Sequence, residues 1–288
     1  NAIESVEVIT NPSVRYDPDG TTGIINIVLK KKALQGFNGI VSGNAGTGDK
    51  YNGSVNLNYR KDKWNIFAGA DGRANHMTTS MESTRTTSYS DAVSILKQSQ
   101  TGSFDRNGYS ISGGIDYTID TRNSLSLSLV NRNMSFNSGG NTLNSNYKGS
   151  DSLVRYFERQ NESDRSINSN QYMLSYKHLF PQKGREYTND VIYSANEMEN
   201  GVDINQQDYS SQGSLPIGDP IKQKNMARNN NNSITVQGNY IYPMNEKGRL
   251  EAGYKAAFRD MTMRYNYSYY NNSEGWVNQE DLKNQYDY

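Results

Sequence analysis

Apolar and polar residues alternate along most of this chain with a period of two. In the segment 51–60, Tyr51, Gly53, Val55, Leu57 and Tyr59 fall on one face, and Asn52, Ser54, Asn56, Asn58 and Arg60 on the other. Successive side chains of a strand point to opposite faces, so this pattern predicts one apolar wall and one wet wall. The same phase returns at 109–117, 234–242 and 250–258, with weaker copies at 37–46, 64–74, 124–134, 168–180 and 187–196. The prediction is about nine strands of roughly ten residues each. Ten residues at ~3.3 Å, tilted by ~45°, rise roughly 23 Å, which is close to the apolar band of an outer-membrane barrel. Strands of a soluble sandwich are usually shorter, about five or six residues.

The connections carry a second signal. Lys61-Asp62-Lys63 and the segments 120–123, 181–186 and 243–248 are tight, whereas 75–104, 135–166, 197–230 and 265–284 are long and are read as loops. This parity puts every long connection on one side, as in outer-membrane barrels with short periplasmic turns and long extracellular loops. The short connection 47–50 falls on the long side and departs from the rule. Strand one then rises from the short-turn side, which puts residues 1–32 in or near the periplasm. Tyr59, Trp64, Tyr117, Phe180, Tyr187 and Tyr242 all lie close to the short turns, where an interfacial aromatic girdle is expected.

Composition narrows the class. Only 34% of residues are hydrophobic and the mean hydropathy is -0.88, low for a chain that must fill a large soluble core. Disorder would explain that polarity but not 22 Tyr with repeated strand patterning. The predicted fold is therefore all-β, a partial transmembrane antiparallel β-barrel, located in the bacterial outer membrane. Net charge is zero, so nothing points to nucleic acid. No apolar run approaches the ~20 residues of a membrane helix. The absence of cysteine excludes disulfides, thiol chemistry and zinc–thiolate sites. With neither an initiator Met nor a signal peptide, the sequence reads as a fragment.

The first thirty residues follow a different pattern. Residues 5–10 read as a strand, Asn11-Pro12 as a turn, 16–20 as a loop, and 24–29 as a second strand opened by Gly23. Ile3, the run Val6-Glu7-Val8-Ile9, Asn11-Pro12-Ser13, Tyr16, Gly20, Gly23 and the run Ile24-Ile25-Asn26-Ile27 together resemble the end of the plug domain of TonB-dependent outer-membrane receptors, in their Bacteroidota form. Thr22 departs from that pattern, standing where many members carry a first Gly. The resemblance implies a plug end at 1–32, with Glu7, Asn11, Pro12, Gly20, Gly23 and Asn26 as its motif, followed at 33–288 by about nine strands of a 22-stranded barrel. It implies TonB as the energy-coupling partner, reached through an N-terminal segment, and uptake of a scarce extracellular solute such as a siderophore, vitamin, peptide or glycan.

No catalytic constellation emerges, and an enzyme is not expected. His76 and His178 fall at opposite ends of the predicted strands, Glu197, Glu199, Glu280 and Asp281 fall in predicted loops, and the serines lack a nucleophile-elbow context. Asp17 and Asp19 before Gly20 lack the later ligands of a calcium loop, so no metal or cofactor is expected. Binding residues are easier to name. Arg60, Asp71, Arg73, Asp116, Asp190, Glu251, Lys255 and Arg259 would form a charged lumenal wall. Above them Met261, Met263, Tyr265, Tyr267 and Tyr269 continue the phase of Lys255 and Arg259. Tyr265, Tyr267 and Tyr269, with Arg259 and Lys255, are the candidate ligand contacts. The expected partners are TonB, outer-membrane lipid and an extracellular ligand. Two rival readings stay open, a non-transporting surface protein (adhesin or signalling receptor) and a soluble β-rich binding module.

Overall fold

A computed structural model describes residues 3–9, 24–29, 35–89, 92–149, 152–210, 215–244 and 248–287. It contains two separate sheets. The smaller pairs β1 (Ile3–Ile9) with β2 (Ile24–Leu29) antiparallel, with Val6 opposite Ile27 and Glu7 opposite Asn26. Asn11, Pro12, Gly20 and Gly23 of the plug-like motif lie outside the described residues.

The larger sheet runs up and down in chain order. Its members are β3 (Gly36–Gly46), β4 (Lys50–Lys61), β5 (Trp64–Ser88), β6 (Val93–Thr118), β7 (Asn123–Lys148), β8 (Ser152–Leu179), β9 (Glu186–Tyr209), β10 (Pro216–Pro243) and β11 (Arg249–Asn271). Two short strands, β12 (Gly275–Asn278) and β13 (Asn284–Asp287), return onto the upper part of β11. The turn after β3 is made possible by Gly48 and Asp49, whose φ angles of 75° and 54° lie in the left-handed region that Gly and Asp tolerate best.

The nine strands expected from the sequence are present as β3–β11, and the short connections fall where the pattern put them. The strands from β5 onward are far longer than ten residues. Instead of loops, 75–88 with 93–104, 135–148 with 152–166, and 197–209 with 216–230 form the upper halves of hairpins, paired up to Ser88 opposite Val93, Lys148 opposite Ser152, and Pro216 opposite Tyr209. The segment 265–284 likewise begins as strand, up to Asn271. Glu197, Glu199 and the run 228–233 are therefore strand residues. Above the bilayer both faces can be wet, so alternation no longer produces an apolar face, and the Asn, Ser and Thr found there read as loop.

Only Tyr156 among the described hydrophobic residues is buried, at 7% exposure, whereas Val41 is 78% and Phe258 70% exposed. A soluble sheet would pack such residues away; these lie in a continuous outer belt. One transverse register row runs Tyr59, Ile66, Ile115, Leu127, Leu174, Val191, Val236, Ala256 across β4–β11. At the lower rim, Trp64 and Tyr117 pack with centroids 4.3 Å apart and planes tilted by 33°, and Phe180 meets Tyr240 edge-on at 5.8 Å. The Arg185 guanidinium lies 4.3 Å from the Phe180 ring centroid. This is the girdle the sequence indicated near the short turns. A second one, not anticipated, rims the top: Tyr51, Tyr109, Tyr172 and Tyr193 end the apolar runs of β4, β6, β8 and β9, with the last two stacked at 6.2 Å. Aromatic residues favour both interfaces because their rings are apolar and their tips polar.

Candidate functional site

The inner face of the large sheet is built from the residues that alternate with the belt. Near its foot, register places Arg60, Asn65, Asp116, Ser126, Ser175, Asp190, Gln237 and Lys255 in one row across β4–β11. Four of the charged residues singled out in the sequence thus share a single level. Side chains link across it: Asn65 donates to Asp116 at 2.9 Å, Ser175 donates to Asp190, and Gln237 donates to the second Asp190 oxygen at 3.1 Å. Asn58 extends the chain by donating to Asn65 at 2.9 Å. Such a network lines the inner face with hydrogen-bond donors and acceptors. Glu251 lies lower, bonded to Arg249 at 2.8 Å, and Arg259 lies higher, opposite Ser233.

The two histidines lie at opposite ends of the sheet, as their positions in the sequence indicated. His76 sits on the outer face, 2.6 Å from Asp105, while His178 packs edge-on against Phe180 at 4.5 Å at the other end of the sheet. Glu199 on the outer face pairs with Arg228. Glu280 and Asp281 lie in a short 3-10 turn. Among the described residues no group of three or more His, Cys, Asp or Glu could hold a metal ion.

The tyrosine ladder takes the position its phase required. β10 and β11 pair from Gln223–Tyr269 to Pro243–Arg249 without a register shift, so Met261, Met263, Tyr265, Tyr267 and Tyr269 share the face of Lys255 and Arg259. The Tyr265 hydroxyl donates to Asn225 at 3.2 Å. Rows connect this ladder to residues the sequence did not single out. Tyr265, Ala227, Asn200, Arg165, Phe136 and Arg106 share one level, and Tyr267, Asn225, Val202, Ser163, Ser138 and Phe104 the next. Arg165 and Phe136 were missed because 135–166 read as a loop. The signal that could have found them was their even or odd spacing from the strand below.

A sequence profile of the outer membrane protein beta-barrel family matches residues 178–288. No curated protein matches the chain. Among solved structures, the chain is similar to the siderophore receptor PiuA from Acinetobacter baumannii, with 8% identity and a TM-score of 0.21 over 93% of this chain. The chain spans about half (54%) of that receptor's length. The profile match and the open antiparallel sheet with its outward apolar belt describe part of an outer-membrane β-barrel, and the protein belongs in the bacterial outer membrane.

Proposed function

We propose that this chain is part of a TonB-dependent receptor that takes up a scarce extracellular solute with energy from the inner membrane. The observation that carries the reading is the small β1–β2 sheet ahead of the barrel strands. Its register sets Val6-Glu7-Val8 against Ile25-Asn26-Ile27, the two halves of the plug-like motif. A plug makes sense only where a lumen must be closed, and the inner face of β4–β11 supplies a polar lumenal wall with an interstrand hydrogen-bond network. On this reading β4–β11 contact lipid through the belt, TonB engages a segment N-terminal to the plug, and no bond is made or broken in the solute.

The test is uptake in a strain lacking this gene. Loss of uptake of one solute class among siderophores, cobalamin, peptides and glycans is expected, with the same loss when TonB is deleted instead. Unchanged uptake of every class would sink the proposal. A second reading draws on the height of the sheet. β7 runs 19 residues beyond Leu129, the top of its apolar run, to Lys148. At ~3.3 Å per residue that is roughly 60 Å of strand outside the bilayer, ample surface for adhesion or sensing. Unchanged uptake together with lost surface attachment would favour it.

A further inference from the structure

Charge is sorted between the two faces of the sheet, from within the apolar band on β4 to beyond it on β8. Three consecutive inner rows on β4–β8 are Ser54–Asp71–Ser110–Arg132–Ser169, Asn52–Arg73–Gly108–Met134–Ile167 and Lys50–Asn75–Arg106–Phe136–Arg165. They hold five cations and one acid, Asp71. The outer face near the same level carries Asp105, Asp164, Glu197 and Glu199. Outside, ion pairs form: Arg228 pairs with Glu199, and Lys224 with Asp203 at 3.2 Å. The arginines of these inner rows form none. Among the described residues no hydrogen bond or ion pair engages Arg73, Arg106 or Arg132, and Arg165 reaches only the Met198 sulfur at 3.1 Å. The Arg106 Nε is shielded from solvent without a hydrogen-bond acceptor while its guanidinium lies 5.5 Å from the Phe136 ring centroid.

We infer that this inner-wall patch binds a small solute carrying two or more carboxylate or phosphate groups. Like charges gathered on one face raise the potential there and concentrate anions. Guanidinium forks match carboxylate and phosphate oxygens in pairs, which a cluster of lysines would not do as well. Spacing argues for more than one anionic group. Lys50, Arg106 and Arg165 stand on alternate strands of one row, so neighbours are roughly 10 Å apart, two interstrand spacings. Arg73 lies one row below, on the strand between Lys50 and Arg106. A concavity of about 610 Å³ is lined by Lys50, Asp71, Arg73 and Arg106, large enough for such a solute, and Phe136 and Met134 offer an apolar floor beside it.

The alternatives on the page fit less well. Residues 1–34 carry four acids and four bases, so charge gives them no preference for this patch. Lipid phosphates lie on the other face, where the apolar belt is. Access is built in, because β3 and β4 end at Gly46 and Lys50 whereas β5 continues to Ser88, leaving the wall low beside the patch. The inference deepens the uptake reading and rests on it only for the inward movement of the bound solute.

The test is calorimetric titration of the folded chain in lipid nanodiscs with citrate and, separately, pyrophosphate, at low and high ionic strength. Binding of at least one anion is expected, weakened by salt, and weakened at least about tenfold by Arg106→Gln and by Arg165→Gln. Arg264→Gln, on the outer face, should change nothing. Should the glutamine variants not fold, Arg106→Lys keeps the charge, loses the fork, and should still weaken binding. No binding of either anion at low ionic strength overturns the inference, and so does equal weakening by Arg264→Gln. Because the titration involves neither TonB nor transport, binding with no uptake defect would count against the uptake reading alone.

Discussion

Asp120 shows how one side chain closes a short turn. Its carboxylate accepts the backbone N–H groups of Arg122 at 2.7 Å and Asn123 at 2.8 Å, and the Asn123 amide bonds both of its oxygens. The Asn123 side-chain oxygen in turn accepts from the Tyr176 hydroxyl and contacts His178 Nδ1, both at 2.7 Å, tying the β6–β7 turn to β8. The Arg122 N–H, followed by the Asn123 amide, holds the Asp120 pKa below the usual carboxylate range. A carboxylate whose folded pKa is depressed stabilises the fold above its unfolded pKa, near ~3.9, and loses that contribution as pH falls through the folded value. Asp120→Asn should therefore lower the urea midpoint of vesicle-embedded protein at neutral pH, and the difference should vanish in acid. A constant difference at both pH values would show that the charge has no part in the turn. At this scale the sequence was only partly legible. Asp120 stands in a predicted turn, but nothing in its neighbours announced three convergent donors. Arg60, Asp116, Asp190 and Lys255 were placed inward correctly by phase, because each sits within an alternating membrane segment.

The elements divide into lower halves that lipid constrains and upper halves that it does not. In the lower half every second residue meets hydrocarbon, so Leu125, Leu127 and Leu129 alternate visibly with Ser124, Ser126 and Ser128. In the upper half of the same strand, Asn137, Gly139 and Asn141 occupy the same outward phase in water, and the contrast disappears. This is why strand number and short turns could be read while strand length could not. The contrast has an energetic counterpart. Leu127 is at the centre of the belt on β7, opposite Ile115 and Leu174, and Ser103 holds the equivalent outward phase high on β6. An arginine at the bilayer midplane of a barrel costs about 2–4 kcal/mol, falling to about 0–1 near the interfaces. Leu127→Arg should accordingly destabilise by about 2–4 kcal/mol in reversible urea unfolding from vesicles, and Ser103→Arg by under about 1 kcal/mol. Similar costs at both positions would mean that the belt does not face lipid.

At the scale of the whole sheet, the belt drifts across the register, and the drift measures strand tilt. On β4 the apolar run is centred on Val55. Followed from partner to partner, its row passes Ala70, Ile111, Asn131, Asn170, Ala195 and Asn232 to reach Asp260 on β11. The apolar run of β11 is instead centred on Tyr254, six residues lower in the register. Register rows are perpendicular to the strands, whereas a lipid belt must be perpendicular to the membrane normal. The angle between row and belt is therefore the angle between strand and normal. Six residues at ~3.3 Å give roughly 20 Å of drift, and seven interstrand spacings at ~4.8 Å give roughly 34 Å, so the tilt is roughly 30°. That lies just under the ~35–45° of outer-membrane barrels, and a sheet needs such stagger in order to close. It also fixes the thickness: the eight steps from Tyr51 to Tyr59, inclined by about 30°, span roughly 23 Å of the ~25 Å apolar band. Polarised infrared spectroscopy of the chain in oriented bilayers should return a mean strand tilt of about 25–40°. Strands lying nearly parallel to the membrane plane would break the link between belt and bilayer, and with it the assignment of an inner face to the arginine patch and the tyrosine ladder.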